Sequence, residues 1–260
     1  MKKLHLTVLA VALTMNAQGA ITWAAGAPGG SSGGSLEFDG SAENLGTGIA
    51  SAALGDYTIS LWINTDSASQ SWFVGTGNRG LHLGTRDTAN AGDGSNTLSQ
   101  GHWGNDSDGT TTILANTWYH ATFTYDNTTD TQTMYVNGNA EGAGIVTGDP
   151  NNTSTDIIIG NRDNTRGPSW DGQLDDIAIW DSVLTPAEIA DLASGAQGPM
   201  ALGAGAYWDF EDSQAGTTAA IQGTGLNGAD LTGITAAVPE PSSLALALLG
   251  VAGFMRRKRA

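Results

Sequence analysis

An all-β, two-sheet antiparallel sandwich is the fold class this sequence predicts, and three observations predict it. Apolar residues recur at a period of two in short runs, as in Tyr57-Thr58-Ile59-Ser60-Leu61-Trp62-Ile63, where Tyr57, Ile59, Leu61 and Ile63 fall on one face. The intervals between such runs are filled by 37 glycines and by Thr, Asn, Asp and Ser, the composition of many short strands joined by turns. A full set of helix signals occurs over only one short segment, Thr185–Ser194. There Thr185 can cap, Pro186 suits the first helical position, Glu188 closes a capping box and Gly195 sits just past the last turn. Ile189 and Leu192 then face inward, and a short helix after a run of strands seals one end of the sandwich.

The strands follow in order. Leu36–Phe38 opens the series, then Tyr57–Ile63, Trp72–Val74, Leu81–Leu83, Thr110–Leu114 and Trp118–Tyr125. Thr131–Val136 runs into Asn137-Gly138, both of which tolerate the positive φ of a two-residue hairpin turn. Ile157–Ile159 and Gln173–Trp180 complete the set.

Charge narrows the function classes. Six of the ten Lys and Arg residues stand at the two ends of the 260-residue chain. Between Ile21 and Val238 there is no lysine, and 25 acidic residues face only Arg79, Arg86, Arg162 and Arg166, a net charge of −21. Such a segment argues against nucleic acid as a partner, because phosphate recognition needs a basic patch. Two readings of the acidity stand side by side: a surface suited to an extracellular or saline medium, and carboxylates gathered to hold calcium. With no cysteine, disulfides, thiol chemistry and Cys-based metal sites are excluded.

Residues 1–20 read as a signal peptide: Lys2 and Lys3, the apolar run Leu6 to Met15, then Ala17-Gln18-Gly19 as a small-x-small cleavage site. Residues 21–35 are rich in Gly, Ala and Ser and read as a flexible lead-in. A single domain is expected over 36–235, and a tail over 238–260. In that tail Val238-Pro239-Glu240-Pro241-Ser242 precedes an apolar stretch, Leu244 to Met255, and the cluster Arg256-Arg257-Lys258-Arg259. Twelve residues reach only about 18 Å as a helix, a marginal span for hydrocarbon of about 30 Å, with the basic end on the cytoplasmic side.

The tail resembles the PEP-CTERM sorting signal of Gram-negative bacteria in its Pro-Glu-Pro motif, short apolar helix and terminal basic cluster. The resemblance implies transient inner-membrane insertion, processing by exosortase-type machinery, and delivery to the cell surface or extracellular matrix. The middle of the chain resembles the laminin G-like, concanavalin A-like jelly roll. The resemblance is carried by Leu36-Glu37-Phe38-Asp39-Gly40, Thr58 to Ile63, Trp118-Tyr119-His120, Tyr135-Val136-Asn137-Gly138, Gly172 to Trp180 and Leu184 to Ile189. It implies two antiparallel sheets with about a dozen strands or slightly more. One departure stands out: the aromatic strand that usually opens the family looks like Tyr207-Trp208-Asp209-Phe210-Glu211-Asp212, after the helix. Either 206–212 supplies the missing strand of the same domain, as in a circular permutation, or it begins a second repeat. The first is favoured, because an isolated strand exposing Tyr207, Trp208 and Phe210 would promote aggregation.

No catalytic residue is assigned. Glucanases of this fold use paired carboxylates in a Glu-x-Asp-x-x-Glu motif, and the nearest stretch, Asp175 to Asp181, has no glutamate. His5, His82, His102 and His120 form no spaced cluster, and His120 beside Trp118 reads as a packing residue. The resemblance further implies calcium as the candidate cofactor, with Asp39 and Asp175 as ligands by position and Asp176 and Asp209 as further candidates; the alternative is that these aspartates cap turns. For a glycan ligand, Trp72 and Trp103 are less clearly core than Trp62, Trp118 or Trp180, and the loop carrying Arg162, Asp163 and Asn164 concentrates polar groups. The expected function is an exported, non-catalytic binding or adhesion module for carbohydrate or extracellular matrix polymer. A structural matrix spacer comes second, and a glycoside hydrolase third.

Overall fold

The computed structural model describes residues 21–210 apart from 31–32, 42–43, 51–54, 68, 77–79, 88–95, 103, 142–144, 147–155 and 163–167. The expected signal peptide, the segment 211–235 and the expected tail helix lie outside the described residues. The expected all-β sandwich with one short helix is what the described residues form. A nine-stranded antiparallel sheet contains β1 (Thr22–Ala25), β2 (Gly34–Asp39), β4 (Tyr57–Thr65), β9 (Trp118–Asp126) and β10 (Thr131–Val136). It continues with β11 (Asn139–Ala140), β12 (Ile145–Val146), β14 (Asp171–Trp180) and β15 (Ala206–Trp208). The facing six-stranded sheet runs in the order β3 (Leu45–Ala50), β13 (Asp156–Ile159), β5 (Ser71–Thr76), β6 (His82–Asp87), β7 (Asn96–Gly101) and β8 (Ser107–Asp108).

Alternation places the core between these layers. Tyr57, Ile59, Leu61 and Ile63 of β4 are all buried and meet Phe73, Leu83, Leu98 and Ile159 of the other sheet in one cluster. In it the Phe73 ring lies 5.7 Å from that of Phe123 and edge-on to Trp170 at 5.2 Å. The hairpin turn forms as its dipeptide requires, Asn137 and Gly138 having φ of 50° and 79°. Helix α1 (Pro186–Ser194) has the full capping box on Thr185 and Glu188 and ends at a left-handed Gly195. Ile189 and Leu192 bury against Trp180 and Tyr207 on the outside of the nine-stranded sheet.

The structure departs from the sequence reading in four places. Residues 21–35 are not wholly a flexible lead-in, because β1 pairs with β2 from Thr22↔Glu37 to Ala25↔Gly34. The small residues there serve close approach: a Cβ at Gly29 would lie 2.6 Å from Cη2 of Trp62. Thr110–Leu114 is not a strand; the Glu141 carboxylate instead accepts both backbone N–H groups and both hydroxyls of Thr110 and Thr111. Burial pushes the Glu141 carboxyl up, but the hydrogen bonds from Thr111 and Thr110 outweigh it and hold the group below the usual range. β3, β7 and β8 carry too few apolar residues to register as strands in sequence. Finally, Trp72 is fully buried, whereas Trp62 and Trp118 are only half-buried.

β15 follows the helix in the chain but pairs with β14, from Ile177↔Trp208 to Ile179↔Ala206. β2 pairs with the earlier part of β14, Asp171 to Leu174. The two strands thus succeed one another along one edge of β14, and β14 has a register shift against β4 where they meet, between Asp175 and Ala178. Asp175 fills this junction: its carboxylate accepts from the Ala27 N–H at 2.7 Å and the Asp176 N–H at 2.8 Å.

Candidate functional site

The outer face of the six-stranded sheet is built from the phase of each strand that points away from the core. On β7, Leu98 faces inward, so Thr97, Ser99 and Gly101 face outward; on β6, with Leu83 inward, His82, Gly84 and Arg86 do. Register sets these side by side: His82 opposite Gly75 and Gly101, Gly84 opposite Trp72 and Ser99, Arg86 opposite Thr97. Three of these positions need glycine because neighbouring groups lie flat across them. A Cβ at Gly84 would meet Cε3 of Trp72 at 2.7 Å, one at Gly75 would meet the Arg162 backbone, and one at Gly101 would meet His82 and Asp106.

Over this floor the side chains form one continuous chain of contacts. The Arg162 guanidinium lies 4.8 Å from the centroid of the Trp72 ring. Trp72 packs edge-on against His82, centroids 4.9 Å apart. His82 Nε2 meets Asp106 Oδ1 at 3.0 Å. Arg86 then donates to Asp106 at 2.7 Å and to Asp108 at 2.6 Å. The hydrogen bond from His82, joined by Arg86 and opposed by burial, holds the Asp106 carboxyl below its usual range. Arg86, Asp106 and Asp108 are each about a quarter exposed, so the accessible rim is polar. Beneath it, Trp72 Nε1, Thr97 Oγ1, Ser99 Oγ and Asp108 Oδ1 are buried without a hydrogen-bond partner among the described residues.

Of the ligand residues expected from sequence, the structure brings Trp72 and Arg162 into contact, with Trp72 beneath the arginine and only 1% exposed. Trp103, Asp163 and Asn164 lie outside the described residues. His82, Arg86, Asp106 and Asp108 were missed. The signal for them was the pattern His82-x-Gly84-x-Arg86, polar and glycine residues sharing the outward phase of a strand.

Of the expected calcium ligands, Asp39 stands apart, whereas Asp175, Asp176 and Asp209 lie near one another where β15 meets β14. Asp39 is exposed, caps a turn through the Ser41 N–H at 2.9 Å, and pairs in register with Asp171. Four residues further along β14, about 13 Å away at strand rise, Asp175 holds the backbone junction. Asp176 accepts from the Tyr207 hydroxyl, and Asp209 is buried just past β15. Among the described residues no three His, Asp or Glu side chains converge as metal ligands. His120 packs edge-on to Trp62, not Trp118, with Nε2 bonded to Ser60 Oγ at 2.9 Å.

Two antiparallel sheets, a sealing helix and a polar outer face define a jelly roll of the kind shared by lectins and glucanases. The chain belongs to the concanavalin A-like lectin/glucanases superfamily, whose laminin G-like family matches residues 18–190. Residues 237–259 match the PEP-CTERM protein-sorting motif, which indicates export and C-terminal sorting. No curated protein matches the chain by sequence. Among solved structures, a heptameric SAP-like pentraxin from Limulus polyphemus is 19% identical over 60% of this chain and 76% of that one, with a TM-score of 0.50. A protein from Bacteroides ovatus, assigned provisionally to carbohydrate binding, is 20% identical over 81% of this chain and 61% of its own, with a TM-score of 0.52. A sialidase from Trypanosoma rangeli is 15% identical over 62% and 27% of the two chains, with a TM-score of 0.48.

Proposed function

We propose that this protein is an exported, surface-sorted, non-catalytic module that binds carbohydrate of the cell surface or extracellular matrix across the outer face of its six-stranded sheet. The observation that carries the reading is the chain Arg162, Trp72, His82, Asp106, Arg86, Asp108, which fixes planar and charged hydrogen-bonding groups over glycines. Ionised carboxylates and guanidinium forks match the hydroxyl pairs of a sugar. Trp72 acts as the positioning residue that holds Arg162. A hydrolase would need one carboxyl kept protonated as general acid, whereas Asp106 is held in the ionised form by His82 and Arg86. Exosortase-type processing and transient membrane insertion of the tail are part of the same reading, supported by the sorting motif.

Glycan-array binding by the full chain tests it. Arg162→Ala and Asp106→Asn are each expected to weaken binding at least tenfold, in line with about 1.5–3 kcal/mol for a charged hydrogen bond, with circular dichroism unchanged. Undiminished binding in both variants would dismiss this face as the site. No glycan bound, together with retention in isolated matrix, would leave the spacer role, and sugar release from laminarin would refute the non-catalytic reading.

Calcium dependence has its support at the other end of β14. Burial, then the charges of Asp66 and Asp39, push the Asp171 carboxyl up. A carboxyl raised in the folded state costs stability above its folded pKa, a cost that fades as pH falls below the unfolded value. Asp171→Asn is therefore expected to raise the melting midpoint at pH 7 and to lose that advantage near pH 3. A calcium-induced rise, reversed by chelator and absent in Asp171→Asn, would locate a cation there; an unchanged midpoint would remove calcium from the reading.

A further inference from the structure

The opposite side of the molecule holds a cavity of about 250 Å³ between the end of α1 and the outer face of the nine-stranded sheet. Its walls include Trp62 and His120 from adjacent strands, Asp176 from β14, Tyr207 from β15, and Gly195 and Gln197 from the helix end. Sequence reads Trp62 and His120 as packing residues and Asp176 as a candidate calcium ligand, and the reading of the six-stranded sheet uses none of them.

Asp176 is placed here by an irregularity. β14 shifts register against β4 between Asp175 and Ala178, and within that shift Asp176 has φ of 47°. A β-bulge re-aims side chains, and a non-glycine residue at positive φ inside a strand persists only when its surroundings hold it. The result is a carboxylate in the cavity wall, bonded by the Tyr207 hydroxyl on the neighbouring strand.

Among the described residues, the lining of the cavity is negative in sign. The C-terminal end of a helix carries partial negative charge, and α1 has no basic residue in its last turn to neutralise it. No lysine or arginine is among the described residues that line the cavity, and the described arginines, Arg86 and Arg162, stand on the other sheet. His120 adds no positive charge at neutral pH, since burial lowers its pKa to about 4. Trp62 supplies an aromatic wall, the side chain best suited to attract a cation. Space, sign and surface together point to one ligand class. We propose that this pocket binds a small organic ammonium ion, with Asp176 as counter-charge and Trp62 as the aromatic wall.

The proposal does not depend on glycan binding by the other face, and calorimetric titration of the full chain separates the two. D-glucosamine, cadaverine and D-glucose serve as probes. Glucosamine and cadaverine are expected to bind and glucose not to bind; heat from only one of the two amines would still support the ammonium and would name its source. Asp176→Asn keeps a residue type that tolerates positive φ and is expected to weaken amine binding at least tenfold, as is Trp62→Leu. Arg162→Ala should leave amine binding unchanged, whatever it does to glycan. Glucose binding as tightly as glucosamine, no binding of either amine, or amine binding undiminished in both pocket variants would overturn the proposal. The comparison of glucose with glucosamine on the unaltered chain stands even where a variant fails to fold.

Discussion

Trp208→Ala is expected to destabilise the domain by about 3–5 kcal/mol, the range for removing a fully buried Trp from a well-packed core. β15 is only three residues long, yet its alternation divides it between two clusters. Trp208, fully buried, joins the core between the sheets, while Tyr207 turns outward against Trp180, Ile189 and Leu192 under the helix. Phe210, also fully buried, adds a second anchor in the main core. Without these rings the edge of β14 from Ile177 to Ile179 would lose its partner strand, and the helix would lose part of its bed. Urea unfolding followed by far-ultraviolet circular dichroism checks this, with the loss read as a lower midpoint at unchanged slope. A cost below about 1 kcal/mol would mean that the segment is a dispensable start of a second unit, since surface substitutions fall in that range.

Much of this arrangement was legible because local chemistry and tertiary packing agree. The period of two in β4, the Asn137-Gly138 turn and the capping box of α1 are signals whose physics is local, and the structure uses each as written. The lead-in was misread because glycine and alanine have two meanings. Composition alone cannot distinguish a chain that is free from one pressed against Trp62. Thr110–Leu114 has strand-like residues but reaches β7 only through the Ile113 N–H to the Asn96 carbonyl, because Glu141 takes the N–H groups of Thr110 and Thr111. In β7, a sequence of Asn, Thr, Ser and Gln around one leucine is buried by its neighbours, a property that β propensity does not encode. The candidate site shows the same division. Trp72 and Arg162 are conspicuous as residue types, but the link from His82 to Asp106 spans 24 positions and exists only through the register of β6, β7 and the loop beyond.

The unused half of the histidine chemistry gives the second large effect. His120 is buried and neutral, bonded through Nε2 to Ser60 Oγ, with Nδ1 unpartnered among the described residues. Burial lowers its pKa from 6.5 to about 4. In the unfolded chain the imidazole takes up a proton as pH falls through 6.5, while in the folded chain it resists until about pH 4. The unfolded state therefore binds more protons across that window, so stability is full above pH 6.5 and is lost progressively down to about pH 4. At about 1.4 kcal/mol per pKa unit, the loss is about 3 kcal/mol. Carboxylates titrate in the same region, so the decisive quantity is the difference between the unaltered chain and His120→Gln, from urea unfolding at intervals between pH 7.5 and 4. Relative to the glutamine variant, the unaltered chain is expected to lose about 3 kcal/mol over this interval, whatever the variant costs at pH 7.5. Parallel profiles would show that His120 accepts a proton without leaving its place between Ser60 and Trp62, and that the acid sensitivity of the fold resides in its carboxylates.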